Sequence, residues 1–268
     1  MKVGVCLRIK DEYFINEFIA HYLLLGFDTI FIYDNLSNPS VESIIKDELK
    51  KNIIIKIDTS IKTNQHTCYT ECLNQNKDYD WILLCDADEF LYLKDYNNIK
   101  DYLKNVPELF SVIVINWIVY GTSKLESIDK NKLIMEQFIY REDYKFLFNN
   151  FIKCFVRPKK IISYGVHRPS QKIIGKYCDS YFNYVYLKRN KEKYHNPKLS
   201  DDTSIVLIHY MTLDFKSLEE KRQKQIKSKQ PCYYDKNKYT KKWYNQLFKD
   251  NILDKRMYKY IEKIKSII

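Results

Sequence analysis

Trp81-Ile82-Leu83-Leu84-Cys85 runs without a polar interruption straight into Asp86-Ala87-Asp88-Glu89-Phe90. Five apolar residues in succession, ended by a cluster of charge, read as a short strand buried on both faces. In extended or turning backbone, carboxylates two residues apart can point to the same side. Asp86 and Asp88 together can hold a hard divalent cation and leave coordination positions open for phosphate oxygens. An ordinary acidic turn after a strand has the same spelling, so the weight of the motif depends on what converges on it.

Working back towards the N-terminus, the same grammar repeats. Val3-Gly4-Val5-Cys6-Leu7 reads as a buried strand, and Phe14, Ile15, Phe18, Ile19, Tyr22 and Leu23 fall on one helical face that Gly26 ends. Thr29-Ile30-Phe31-Ile32-Tyr33 is a second strand running into Asp34-Asn35, and Pro39 suits the first turn of a helix reaching about Lys50. Ile53–Ile57 is a third strand, residues 67–73 a helix, residues 98–104 a short helix, and Val112-Ile113-Val114-Ile115 a fifth strand. Continuous apolar strands alternating with amphipathic helices predict an α/β fold: a mixed, mostly parallel sheet flanked by helices. Ligands of such sheets bind beyond the carboxyl ends of the strands. Arg8 and Glu12, Asp34 and Asn35, and Asp86, Asp88 and Glu89 stand at three of those ends. From about 120 to 200 the pattern is less regular and reads as an α+β half completing the cleft, followed by a strand at Ile205–Ile208 that ends in His209-Tyr210.

Composition removes several classes. The 268 residues contain five glycines, and the closest two, Gly165 and Gly175, are ten apart, so neither a GxGxxG nor a P-loop pattern is present. A bound nucleotide would need its phosphates neutralised another way, and a metal ion is the obvious means. No apolar run approaches the length of a membrane-spanning helix, and charges come too early at the N-terminus for a secretory signal. Seven cysteines without regular spacing, two of them inside apolar strands, predict reduced buried thiols and a cytoplasmic protein. Cys68 and Cys72 near His66 could suggest a metal cluster, but no second ligand pair has zinc-like spacing.

The net charge of +11 is uneven. Residues 215–268 carry sixteen Lys/Arg against six Asp/Glu, and the rest of the chain is close to neutral. The expected organisation is a catalytic domain over 1–213 and a basic helical extension over 214–268. Trp243, Tyr244, Leu247 and Phe248 could give that extension an apolar edge beside lysines, suited to peripheral contact with the cytoplasmic face of a membrane, or could pack on the main domain.

At this point a resemblance carries further. RIKDEYFINEFIAHYLLLGFDTIFIYDNLS, followed by DWILLCDADEF, resembles glycosyltransferases of the glycosyltransferase-A fold, specifically the family 92 and family-2-like group. The matching residues are Arg8, Lys10, Glu12, Glu17, His21, Gly26, Tyr33, Asp34, Asn35, Ser37, Trp81, Asp86, Asp88, Glu89 and Phe90; Asp11 and Phe18 depart from the usual Asn and Trp. The likeness continues more weakly through Gln65, Trp117, Lys153 and His167, and returns at His209-Tyr210 and the helix with Lys216 and Lys221, covering about residues 2–222.

The resemblance implies transfer of a hexose from a nucleoside-diphosphate sugar, a UDP-sugar foremost, to an acceptor hydroxyl on a glycan, glycoprotein or lipid-linked sugar, with inversion. It implies that Asp88 binds Mn²⁺ or Mg²⁺, that Asp86 contacts the ion, its water or the ribose, and that His209 is a further metal ligand. An imidazole beside a carboxylate suits Mn²⁺. Arg8, Glu12, Asp34 and Asn35 form the expected nucleotide-recognition set, with Lys153 and His167 near phosphate or acceptor. An inverting transfer needs a base, for which Glu136 is the candidate, with Glu142 and Asp143 as rivals. His21 reads as structural and Glu17 as an exposed or capping-type helix residue. Three other readings use the same residues: a nucleic-acid-binding protein built on the Tyr- and Lys-rich tail, which the strand-end carboxylates disfavour; a silent transferase-like scaffold; and a metal-dependent nucleotidyltransferase or phosphatase.

Overall fold

The computed structural model describes residues 1–59, 65–187, 193–228 and 240–268. Strand β1 (Val3–Ile9) leads through helix α1 (Ile15–Leu24) to β2 (Thr29–Asp34). Next come α2 (Val41–Ile44), α3 (Asp47–Lys50), β3 (Ile53–Ile57), α4 (Gln65–Gln75) and β4 (Trp81–Leu84). These four strands are parallel, in the order β3-β2-β1-β4. The helix expected from Pro39 to Lys50 is broken in two. Ile45 and Lys46 are extended, and the side-chain amide of Asn16 bridges the gap, donating to the Ile44 carbonyl at 2.8 Å and accepting from Lys46 N at 2.9 Å.

After β4 the chain turns through Asp86–Asp88 into β5 (Glu89–Leu93), then α5 (Ile99–Leu103) and the ten-residue β6 (Phe110–Val119). A short α6 (Ile134–Gln137) and β7 (Tyr140–Arg141) precede β8 (Ile152–Val156), β9 (Lys176–Cys178), β10 (Tyr184–Val185) and β11 (Ile205–His209). β8 inserts antiparallel between β4 and β6, so the fifth apolar strand of the sequence is not β4's neighbour. β6 then serves two sheets. Its first part pairs with β8 and β9, while Trp117, Ile118 and Val119 pair with Leu207, Ile208 and His209 of β11, which also pairs antiparallel with β5. The expected mixed, mostly parallel sheet flanked by helices is the architecture observed.

The segment after residue 213 is largely helical, with α7 (Phe215–Ser228), α8 (Lys241–Leu247) and α9 (Tyr258–Ile267), yet it does not pack as an appendage. β12 (Ile252–Leu253) pairs with β7, and Tyr244, Phe248, Met257, Tyr260, Ile261 and Ile264 are buried in the same core as β1, α1 and β11. The Tyr260 hydroxyl accepts from Leu93 N at 3.1 Å. Of the four residues considered for a membrane-facing edge, Tyr244 and Phe248 are buried and Trp243 packs against that core; Leu247 remains exposed. The Tyr- and Lys-rich stretch 229–239 lies outside the described residues. None of the described helices is long and apolar enough to cross a membrane.

Candidate active site

A cleft of about 370 Å³ opens at the carboxyl ends of β1 and β4, lined by Arg8, Lys10, Glu12, Asp86, Asp88, His209 and Lys221 among others. Strand register builds it. Antiparallel pairing sets His209 opposite Glu89, and Tyr210 N donates to the Asp88 carbonyl at 2.9 Å, so a histidine 121 positions away in sequence arrives beside the acidic turn. Its Nε2 lies 3.4 Å from Asp88 Oδ1. The Trp117 ring packs on the imidazole with centroids 4.3 Å apart. Lys221, from the first turns of α7, brings its Nζ to 3.7 Å from Asp88 Oδ2 and donates to the Met211 carbonyl at 2.8 Å. Burial favours the protonated form of Asp88, but His209 and Lys221 outweigh it and hold the carboxyl down at about 2.

Asp86 faces the other way. Its Oδ2 lies 2.9 Å from Lys153 Nζ, its Oδ1 accepts from Gln65, and the Tyr69 hydroxyl is 3.3 Å off. Lys153 is fully buried, because the pairing of Leu84 with Cys154 carries it to the end of β4. It also donates to the Val166 carbonyl at 3.1 Å. Burial alone would lower the Lys153 pKa, but Asp86 and then Glu89 raise it above the usual lysine range. Glu89, wholly buried, accepts from Asp86 N at 2.9 Å; burial pushes its carboxyl far up despite Lys153 3.9 Å away. Lys153, expected near phosphate or acceptor, is buried against Asp86 and is not among the described residues lining the cleft. It holds the acidic turn from behind.

Arg8 lines the cleft, with Nε bound to Asp58 Oδ2 at 2.6 Å and Nη2 buried without a partner among the described residues. Asp58 was missed by sequence reading, although it follows the apolar run Ile53–Ile57 just as Asp34 follows Thr29–Tyr33 and Asp86 follows Trp81–Cys85. Asp34 itself is not brought into the cleft. It is buried, and its oxygens accept from Ser37 N and Val41 N at 2.9 and 3.2 Å, so it shapes the turn after β2. Asn35 stands beside it, donating to the Asp58 carbonyl at 2.9 Å. His167 packs against the stacked rings of Trp117 and Phe151, 5.4 Å from each, with Nδ1 3.1 Å from the Ile152 carbonyl; burial, then Lys153, lowers it to about 4, so it is neutral at physiological pH.

Glu136 is a correction. It does not line the cleft; on α6 its Oε2 accepts from Leu133 N at 2.9 Å and its Oε1 from Lys265 of α9 at 2.5 Å, which makes it a cap and an ion-pair partner. Glu142 likewise accepts from Lys249 N and Asp250 N. Glu17 is buried and caps α6 from outside, accepting from Ile134 N and Met135 N at 2.7 and 3.2 Å. His21 is structural as expected, fully buried with Nε2 2.8 Å from the Leu91 carbonyl. Cys68 and Cys72 are free buried thiols.

The glycosyltransferase family 92 model matches residues 2–264, which include the tail that the sequence reading left without a counterpart. The chain belongs to glycosyltransferase family 92. Two plant members of the family, from Ricinus communis and from Oryza sativa subsp. japonica, are each 27% identical to it over 105 residues, 38% of this chain and 19% and 18% of their own lengths. The chain thus matches less than a fifth of the length of these curated relatives. Among solved structures, residues 1–349 of S. aureus TarS superpose with a TM-score of 0.38 at 15% identity, covering 59% of this chain and 47% of that one.

Among the described residues no three His, Cys, Asp or Glu side chains gather to enclose a metal ion. Asp88 and His209 do present one carboxylate oxygen and one imidazole nitrogen side by side at the cleft. Two protein ligands fit a cation that takes its remaining ligands from substrate phosphate and water, as hard divalent ions in nucleotide sites commonly do. Asp86, with Lys153 on one oxygen, is not needed to complete that pair.

Proposed function

We propose that this family 92 chain transfers a hexose from a nucleoside-diphosphate sugar, a UDP-sugar foremost, to a hydroxyl of a sugar-bearing acceptor, with inversion at the anomeric carbon. The observation that carries the reading is the meeting of Asp88, His209 and Lys221 in one cleft at the carboxyl ends of the strands. Asp88 and His209 would hold Mn²⁺ or Mg²⁺, and the bound ion would neutralise the diphosphate as Lewis acid and template. Lys221 and Lys10 supply positive charge on the same wall. The unpartnered Arg8 Nη2 offers a buried donor to the nucleotide, while Asp58 fixes the guanidinium. Trp117 holds the His209 ring, and neutral His167 packs behind it. The reaction belongs to the cytoplasm in this proposal. A membrane contact through the tail does not belong to it, because most of that apolar edge packs inward.

Inversion needs a base to take the acceptor proton. Glu12 is the carboxylate of the cleft outside the Asp86–Asp88 turn. Glu12→Gln should lower kcat by about a hundredfold, within the usual range for a lost base, with UDP affinity unchanged. A loss of UDP affinity instead would return Glu12 to the nucleotide-recognition set.

Calorimetric titration of UDP in Mn²⁺ and then in EDTA tests the central claim. Binding in the micromolar range that EDTA abolishes is the expected result, and transfer that persists undiminished in EDTA would overturn the metal role.

A further inference from the structure

A second concavity lies away from the cleft. A groove of about 650 Å³ runs between the turn after Tyr164 and strands β9 and β10, of which β10 is the sheet edge. Among the described residues lining it are Arg168, Lys172 and Lys176, three tyrosines (Tyr177, Tyr184 and Tyr186), and no Asp or Glu. In a chain whose first 214 residues are almost neutral, three cations without a carboxylate are a local bias. Tyr184 and Tyr186 are 59% and 76% exposed, and Lys176 Nζ stands 5.4 Å from the Tyr184 ring centre. Tyrosine rings offer flat apolar faces with a polar edge, the surface on which a sugar ring can lie.

Two sets of contacts run from this groove towards Asp86. The tight turn closed by Gly165 N donating to the Arg168 carbonyl at 2.7 Å hangs on Lys153 through Val166 and on β8 through His167, and its next residues form the groove wall. At the start of α4, Gln65 binds Asp86 while His66 Nε2 lies 3.2 Å from Ser170 Oγ of the same wall. At the first residues of α4, neighbouring side chains thus reach the acidic turn and the groove wall, and the 165–168 turn meets the lysine that binds Asp86.

We propose that this groove binds the acceptor, and that the acceptor is an anionic oligosaccharide, its sugar rings lying on Tyr184 and Tyr186 and its carboxylates or sulfates meeting Lys172 and Lys176. The proposal rests on the transferase reading of the cleft, and it adds the acceptor's class and seat.

The test uses the full chain and defined probes. Tetragalacturonate, neutral cellotetraose and UDP with Mn²⁺ are titrated separately into the wild-type protein, K172Q/K176Q and Tyr184→Ser. Tetragalacturonate should bind, weaken with salt, and lose about tenfold in affinity in each variant, a change of about 1.4 kcal/mol. UDP should bind all three proteins equally, which also shows that the variants are folded. Equal binding of cellotetraose, or tetragalacturonate affinity unchanged in both variants, would overturn the proposal. So would binding of phosphatidylserine vesicles or single-stranded DNA at these lysines with no binding of tetragalacturonate. Failure of UDP alone to bind the wild type would strike the cleft reading and leave the sugar titration to be judged by itself.

Discussion

The two carboxylates of the Asp86-Ala87-Asp88 turn are two residues apart and lead opposite lives. Asp86 is locked to a fully buried lysine and backed by a buried Glu89, whereas Asp88 faces a histidine and a half-exposed lysine across an open cleft. Both carboxylates line the cleft, but the basic partner of Asp86 is wholly buried, whereas the partners of Asp88 stand at the cleft itself. On the Asp86 side Lys153 and Glu89 are wholly buried, and removing the lysine takes the counter-charge from the Asp86 carboxylate. The comparison teaches that a metal-motif spelling does not divide its labour evenly.

The strongest way to break this contrast is to remove each side in turn. Asp88→Asn should reduce kcat/KM by about a thousandfold, on the order of 4 kcal/mol of transition-state stabilisation, with the melting temperature little changed. If activity survived, the open side would not be the working side. Lys153→Met should act on the fold instead, destabilising it by about 3–5 kcal/mol in urea unfolding. Adding Asp86→Asn and Glu89→Gln to Lys153→Met should restore much of that loss, because no unpaired charge remains; failure to restore it would mean that the lysine contributes packing more than charge.

A finer test reaches the support of the open side. Trp117→Leu removes the ring that holds His209 and should weaken Mn²⁺-dependent UDP binding by about tenfold, the low end of what lost supporting contacts cost a metal site. Unchanged binding would show that the pairing of β11 with β5 places the imidazole unaided.

A separate contrast concerns a buried carboxylate with no lysine partner among the described residues. Glu17 accepts two backbone N–H bonds, but burial prevails and raises it to about 8, where Asp86 beside Lys153 is drawn down. A folded-state pKa above the unfolded value means that the folded protein holds a proton the unfolded chain has released. Stability should therefore fall as pH rises from the ordinary glutamate range, around 4.5, through about 8. Glu17→Gln should flatten that decline in thermal unfolding, and an unaltered slope would place the titration elsewhere.

Much of this was legible beforehand because buried strands and amphipathic helices are written in local apolar periodicity. The strands β1 to β4, the helix α1, the Asp-x-Asp-Glu turn and the late histidine all carry signals within a dozen residues. The break between α2 and α3 depends on Asn16, about thirty positions earlier in the chain, and no local pattern announces it. Glu136 illustrates the same limit from the other side: an acidic residue before an aromatic looks catalytic until α9 supplies Lys265.

The sequence by itself determined the α/β class, the acidic turn at a strand end and the types of side chain available for a metal and a nucleotide, since each is set by residues adjacent in the chain. Only the tertiary structure decided which of them meet. Antiparallel insertion of β8 buried Lys153 behind Asp86, the pairing of β11 with β5 delivered His209 to Asp88, and the packing of α7 turned one lysine of a basic tail into a wall of the cleft. Strand register and helix docking are long-range choices made by the whole core, so no short window of residues can contain them.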